Sequence, residues 1–370
     1  MEITKLIKNH SERSRLMLHR DNFFQYAYNY NWQFLKGYER SALNLLCLKR
    51  PADLCAYLKI DFQTLQELIN QPVYHHYLIP KKSGGNRQID APNQTLKKIQ
   101  KQLNRSLQGI YLCYKPISVH GFVIHPRSEK KAANIVENAL PHVGKKYVLN
   151  LDLENFFPSI KAKRIQEIFN NGIFKFNENI VNVLTLLTTI NGHLPQGSPT
   201  SPVLSNMVCF KLDNQLELWC KQNEITYTRY ADDLTFSSDN PIDTKLIVDI
   251  RSIIVQNDFC VNEKKLRIRA KNRKQTVTGL IVNDKVNVDR KMMKNVRAML
   301  HDLKMNGINS ATQKHFDLNR LASINECQSF VDKLNGNIGF IGQVRGVEDK
   351  IFLKFREQLS GVNQNDNHAN

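Results

Sequence analysis

Two adjacent carboxylates, Asp232 and Asp233, sit in the middle of "TYTRYADDLTFSS", where polar and apolar residues alternate on both sides of the pair. That alternation predicts a strand, a tight turn and a second strand, with both acids at the tip of a hairpin. Paired carboxylates are hard oxygen donors suited to Mg²⁺. Joined by a third, they can hold two ions for in-line phosphoryl transfer. The candidate for the third lies in "KKYVLNLDLENFFPSI". There Tyr147, Leu149, Leu151 and Leu153 alternate with Val148, Asn150, Asp152 and Glu154, so a strand would put the two sets on opposite faces. Asp152 then stands on the more polar face where the strand gives way to "FFPSI". An isolated Asp-Asp turn is more often solvated turn chemistry, so the metal reading depends on the elements around it.

Those elements must bring residues 152 and 232 together, which only a folded sheet can do. Between them runs "HLPQGSPTSPVLSNMVCFKLDNQLELW". Pro195, Gly197, Pro199 and Pro202 predict a rigid loop. Thr200 or Ser201 can cap the following helix, with Pro202 in its first turn. Leu204, Val208, Leu212, Leu216 and Trp219 form an apolar stripe at helical spacing that belongs in a core. Gln196 and the loop's backbone N–H groups then lie beside a helix N-terminus, a natural place for phosphate or sugar oxygens.

In this order, "NLDLENFFPSI", "LPQGSPTSP", "YTRYADDLTFSS" and "VNEKKL" resemble the palm motifs of the bacterial retron, group II intron and related reverse transcriptases. Upstream, "YLIPKKSGGNRQIDAPNQTLKKIQ" resembles the fingers segment of the same family. The likeness runs from about residue 74 to "VTG", over half the chain. It implies an α+β fold of the right-hand polymerase type, with fingers, a palm built on an antiparallel sheet with helices, and a helical thumb. The implied reaction is RNA-directed DNA synthesis, in which a primer hydroxyl attacks the α-phosphate of a dNTP and Asp152, Asp232 and Asp233 hold two Mg²⁺ ions. By the same resemblance, Arg87 and one of Lys81 or Lys82 contact the triphosphate, and Gln196 and Gly197 form the floor of the nucleotide pocket. Lys265 resembles a lysine that can protonate the leaving pyrophosphate. Phe157 takes the place of the steric gate against a ribose 2′-OH. Strand alternation would put Phe156 and Phe157 on opposite faces, one in the core and the other at the gate.

Two further segments resemble retron enzymes in particular. "NALPH", from Asn138 to His142, matches an Asn-Ala-x-x-His element, and Val277, Thr278 and Gly279 match a Val-Thr-Gly element. Physically both read as surface loops, one with a histidine and one turning on glycine. The resemblance makes Asn138, His142, Val277, Thr278 and Gly279 candidates for RNA binding. It also implies a partner, a structured noncoding RNA that is both template and primer source. Synthesis would start from an internal guanosine 2′-OH and yield a branched RNA–DNA molecule, beside an effector protein in defence against phage. Rival readings are a group II intron or diversity-generating reverse transcriptase, and a non-catalytic RNA-binding scaffold. A scaffold has no reason to crowd three acids beside a polyanion.

Composition agrees with a nucleic-acid partner. The chain has 370 residues, and Lys+Arg (52) exceed Asp+Glu (34) by 18. A surplus of that size points to a polyanion. Basic clusters such as Lys97-Lys98, Lys130-Lys131, Lys145-Lys146 and Lys271–Lys274 suggest a channel that follows a phosphate backbone. Seven scattered cysteines without a C-x-x-C pair argue against a disulfide framework or zinc site and for a reducing compartment. No apolar run approaches the roughly 20 residues of a membrane span. The N-terminus is too polar for a signal peptide, so the expectation is a cytoplasmic protein.

Along the chain, residues 1–73 read as a helical extension. Its aromatics from Phe23 to Phe34 either stack on unpaired bases or, the favoured reading, pack between helices. Asp61 is placed to cap the helix "FQTLQELI". Residues 74–136 read as fingers, with Gly84-Gly85 turning a hairpin, "LKKIQKQLNRSL" as an amphipathic helix and "VHGFVIHPRS" as a strand and loop. Residues 137–283 read as palm. Residues 284–360 read as thumb helices, two of them closing on glycine, and 361–370 as a disordered polar tail.

Overall fold

The computed structural model describes residues 37–81, 84–125 and 133–366. Lys82, the aromatic stretch 23–34 and Lys130-Lys131 lie outside the described residues. The chain divides into two compact units, one containing residues 37–138 and 149–268, the other residues 139–148 and 269–366.

In the first unit three helices come first, α1 (Gly37–Leu46), α2 (Pro51–Leu58) and α3 (Phe62–Asn70). Asp61 caps α3 as expected, its carboxylate accepting from the Thr64 N–H at 2.6 Å. Strands β1 (Tyr74–Pro80) and β2 (Asn86–Pro92) then pair antiparallel, from Tyr74 opposite Pro92 to Pro80 opposite Asn86. Gly84 and Gly85 turn this hairpin at φ +87° and +77°, a conformation that suits glycine. Helix α4 (Gln94–Tyr114) is amphipathic, burying Leu96, Ile99, Leu103, Leu107 and Ile110 on one face, and α1 packs on it.

The site is framed by a four-stranded sheet. Its strands are β3 (Tyr147–Asp152), β4 (Thr226–Tyr230), β5 (Asp233–Ser238) and β6 (Arg267–Ala270), in the order β4-β5-β3-β6. The short α5 (Ile135–Ala139) precedes β3. After β3 come α6 (Phe156–Ser159), α7 (Ala162–Asn170), α8 (Glu178–Thr188), α9 (Ser201–Val208) and α10 (Phe210–Gln222), with α11 (Thr244–Val255) after β5. Leu149, Leu151 and Leu153 are buried as the alternation requires, and Val148 and Asp152 are buried on the other face. Strand β3 is therefore covered on both faces, whereas β6 at the sheet edge is exposed or half-buried along its length.

Four expectations are corrected here. Strand alternation does not set the directions of Phe156 and Phe157, because Asn155 turns into the left-handed region (φ +46°) and starts α6, which holds both rings. "VHGFVIHPRS" forms no strand in its described part, Val119 making only an isolated bridge to Arg229. Phe122 turns the chain at φ +60°, which a strand does not accommodate. The single helix expected after the proline loop is two, α9 and α10, meeting at Cys209 (ψ −5°). Thr200 occupies the cap position without a side-chain cap bond. Its hydroxyl pairs with Ser198 Oγ instead (2.9 Å), and Ser201 Oγ donates back to the Pro195 carbonyl (2.7 Å).

The second unit holds a small hairpin, β7 (Thr276–Val277) and β8 (Leu280–Ile281), and three helices, α12 (Arg290–Phe316), α13 (Ile324–Arg345) and α14 (Lys350–Asp366), packed pairwise. Thr278 and Gly279 turn the hairpin at φ +46° and +83°, the mirror-image geometry that two-residue hairpin loops favour. Gly307 (φ +73°, ψ 171°) interrupts α12, as the reading of a glycine stop required, after which the helix resumes. Gly361 stops nothing. Helix α14 continues through it to Asp366, so residues 361–366 are helical where a disordered tail was expected. Gly361 keeps an ordinary φ, and a helical glycine costs only about 1 kcal/mol against alanine. Residues 367–370 lie outside the described residues.

Candidate active site

The β4–β5 hairpin sets Tyr230 opposite Asp233 and leaves Ala231 and Asp232 as the turn. Its strands are buried on both faces, from Tyr227 and Thr228 to Leu234, Thr235 and Phe236. Ala231 takes φ +60°, so the turn is held in a conformation that an L side chain rarely adopts. The end of β3 ties to the turn directly, the Leu153 N–H donating to the Asp232 carbonyl at 3.0 Å. Further along, Asn262 N–H donates to the Asp152 carbonyl and Glu154 N–H to that of Cys260, both at 2.8 Å. Backbone bonds thus bring together three segments far apart in sequence, carrying Asp152, Asp232-Asp233 and Lys265.

Their side chains meet. Lys265 Nζ donates to Asp152 Oδ2 at 2.7 Å, and Asp233 lies close enough to Asp152 and Asp232 to feel both charges. Loss of surrounding water, then the charges of Asp232 and Asp152, push Asp233 up to about 7, although part of the residue remains exposed. Asp232 is raised by the same two causes, burial and then Asp152, with the Lys265 and Arg87 charges pulling it back. Burial alone would lower Lys265, but the bond to Asp152 and the three acidic charges hold it above its ordinary value, so it stays protonated.

Among the described residues no three His, Cys, Asp or Glu side chains close into a metal cage of protein atoms alone. The donor chemistry fits Mg²⁺ nevertheless. Three carboxylates repel one another with one lysine to offset them, and Mg²⁺ commonly uses one or two carboxylates together with water and substrate phosphates.

The proline loop reaches the same region through β2. The Asp90 N–H donates to the Gln196 carbonyl at 2.8 Å. Gly197 (φ +134°) lies so close to β2 that a Cβ would stand 2.9 Å from the Asp90 carbonyl oxygen. Behind the loop, Ser198 Oγ donates to Gln100 Oε1 at 2.7 Å, and Gln100 Nε2 donates to Tyr74 Oη at 3.0 Å. Gln196 is half-buried and Gly197 exposed. Arg87 and Lys81 are exposed on the β1–β2 hairpin. Phe156 is in the core against Phe259, whereas Phe157 is half-buried beside Phe122, ring centroids 5.9 Å apart. One ring is core and the other half-buried, and a helical turn, not a strand, separates them.

The remaining candidates lie elsewhere. Asn138 in the first unit and His142 and Val277 in the second are fully buried, against the surface loops that local sequence suggested. The Asn138 carbonyl accepts from Thr228 Oγ1 of β4 at 3.3 Å. Of the five, Thr278 is half-buried and Gly279 is exposed.

Sequence reasoning missed the residues behind the turn. Arg229, Asp213 and Asn206 are all buried and joined by hydrogen bonds. The available signals were an arginine inside an otherwise uncharged strand and an acid next to Leu212 in an apolar stripe.

A model of the family described as reverse transcriptase (RNA-dependent DNA polymerase) matches residues 79–282, more than half of the chain. The chain belongs to the reverse transcriptases. It is an RNA-directed DNA polymerase of the right-hand fold, and its relatives place it in the bacterial retron group. The retron Ec86 reverse transcriptase of Escherichia coli is 32% identical over 73% of this chain and 83% of that protein. The retron Mx65 enzyme of Myxococcus xanthus is 33% identical over 72% and 65%, respectively. The retron Se72 enzyme of Salmonella heidelberg is 28% identical over 81% and 77%. Among solved structures, a telomerase from Candida albicans aligns with a TM-score of 0.43 at 10% identity, over 89% of this chain and 68% of that one, too distant to carry an argument. No helix among the described residues is long and apolar enough to cross a membrane.

Proposed function

We propose that this reverse transcriptase copies a cognate structured noncoding RNA into a branched, RNA-linked single-stranded DNA, primed from the 2′-OH of an internal guanosine. The convergence of Asp152, Asp232 and Asp233 carries the catalytic part of this reading. A cluster of repelling acids in a chain with a net charge of +18 serves chemistry, not attraction to RNA. The retron relatives, with the "NALPH" and "VTG" elements, support the choice of RNA and product.

In this reading Asp152, Asp232 and Asp233 hold two Mg²⁺ ions. Bound there, magnesium would supply Lewis-acid stabilisation to the attacking hydroxyl and the transferred phosphoryl group. Arg87 and Lys81 grip the triphosphate of the incoming dNTP, and Gln196 and Gly197 form the floor beneath it. Phe157 excludes a ribose 2′-OH. Lys265, held protonated beside Asp152, donates to the leaving pyrophosphate. The fingers span residues 74–136, the palm 137–283 and the thumb 284–360, the last selecting the RNA. The retron relationship further supports a cytoplasmic setting and an effector protein acting with this enzyme against phage.

The test is the chemistry of the product. Nucleic acid that copurifies from the native host is digested with ribonuclease. DNA with a short ribonucleotide remnant at its 5′ end, removable by a debranching enzyme, is the expected result. DNA with an ordinary 5′ end, or no DNA, would assign the enzyme to another class of reverse transcriptase.

A further inference from the structure

The Ala231-Asp232 turn rests on a buried ion pair that the reaction itself does not use. Arg229 and Asp213 are both 0% exposed. The guanidinium makes two parallel bonds to the carboxylate, Nε to Oδ1 and Nη2 to Oδ2, each 2.7 Å. Its remaining nitrogen, Nη1, donates to Asn206 Oδ1 at 3.0 Å and to the Ala231 carbonyl at 2.9 Å. Asn206, also fully buried, donates through Nδ2 to the Gly121 carbonyl at 2.9 Å. The Arg229 backbone grips the same loop, its N–H donating to Ser118 O at 2.8 Å and its carbonyl accepting from His120 N–H at 3.0 Å.

A buried ion pair is weak evidence for stability, because desolvating two charges offsets most of their attraction and apolar residues of similar volume do as well. What this pair provides is direction. Once Asp213 occupies one edge of the planar fork, Nη1 can point only along a fixed line. That line ends on the carbonyl of Ala231, a residue at φ +60° and the last before the two acids. A lysine could not satisfy Asp213 and reach Ala231 together.

We propose that Arg229 is a positioning residue for the carboxylate turn. Asp213 aims its guanidinium, and Asn206 links it to the 118–122 loop, so that the strained turn keeps Asp232 and Asp233 at the spacing metal binding needs. The proposal rests on the reading that these two acids hold metal.

The test measures primer extension by the full chain as a function of Mg²⁺ concentration, for Asn206→Ala, Arg229→Lys and Leu184→Ala. Asn206→Ala removes a neutral group and leaves the ion pair intact. Leu184→Ala opens a cavity in α8, away from the network, and controls for lost stability. Both network variants should lower kcat by about tenfold or more with dNTP KM within about twofold, because misplacing a catalytic group slows chemistry without removing substrate contacts. The Mg²⁺ concentration at half-maximal rate should rise in both and stay unchanged in Leu184→Ala. A parental Mg²⁺ dependence in a folded Asn206→Ala enzyme, or an equal shift in Leu184→Ala, would overturn the proposal. Asp232→Asn is assayed alongside. If that variant still synthesises DNA, the metal reading fails. If it is dead while Asn206→Ala behaves as the parent, only the positioning role falls.

Discussion

Two hairpins in the first unit carry the acids and the cations proposed for the reaction, and they are built in opposite ways. The β4–β5 hairpin is buried on both faces and backed by a fully desolvated ion pair. The β1–β2 hairpin is exposed along nearly all of β1, with Tyr77, Leu78 and Ile79 at 48%, 63% and 48% exposure. It is fastened at its base, through Tyr74 to Gln100 and through Asp90 to Gln196. The difference follows the chemistry proposed for each. Carboxylates that share metal ions must keep fixed spacing, and close packing on two sides supplies that. Cations that grip a triphosphate need reach, and an element with little buried apolar surface opens locally at low cost.

The comparison can be broken most sharply at the acids. Asp232→Asn and Asp233→Asn should each lower DNA synthesis by about a thousandfold or more, the scale of losing a principal transition-state group. RNA binding should stay near parental, since the phosphate backbone is held by cations. Filter binding and primer extension on the same preparations separate the two effects. A second test compares stability. Asp213→Ala strands the Arg229 charge and should cost about 3–5 kcal/mol in denaturant unfolding. His76→Ala, which breaks the half-exposed contact to Asp90 on the other hairpin, should cost less than about 1 kcal/mol. Similar losses in the two variants would erase the proposed contrast.

Phe157 sharpens the picture on the rigid side. Phe157→Ala should raise ribonucleotide over deoxyribonucleotide incorporation by about one to two orders of magnitude, measured as a ratio of kcat/KM values. An unchanged ratio in an active enzyme would return Phe157 to a packing role. The smallest effect is expected on the exposed hairpin. Arg87→Ala should raise dNTP KM by about tenfold through one lost charge-assisted contact. Its stability should stay within about 0.5 kcal/mol of the parent, as for other surface substitutions.

The acids were legible because a local pattern announces them. Alternation around Asp232-Asp233 and along Tyr147–Asp152 shows strands, and the prolines and glycine of 195–202 show a loop. The sheet order was not legible, nor was the bond from Leu153 to the Asp232 carbonyl, since pairing between distant strands leaves no local trace. Arg229, Asp213 and Asn206 were hidden for a related reason. Each is an ordinary polar residue where it stands, and only the crossing of α9, α10 and β4 turns the three into one network. The burial of Asn138 and His142 shows the same limit. A short polar segment reads as surface unless a neighbouring element, here β4 over Asn138, is known to cover it. Gly361 marks where a local rule misled, because a glycine ends a helix only when its backbone turns to positive φ.

Gly121 has a consequence for any attempt to remodel this enzyme. A Cβ there would lie 2.4 Å from the Ala231 nitrogen and 2.9 Å from the Tyr230 carbonyl carbon. One methyl group, ordinarily the mildest enlargement a chain can receive, would act as a wedge between the 118–122 loop and the carboxylate turn. Overpacking of this kind costs roughly 1–3 kcal/mol elsewhere, but here the displaced wall carries the two carboxylates proposed to hold metal. In a library randomised across 117–122, functional survivors should hold glycine at 121 almost without exception, while Ile117, 61% exposed, should accept most replacements.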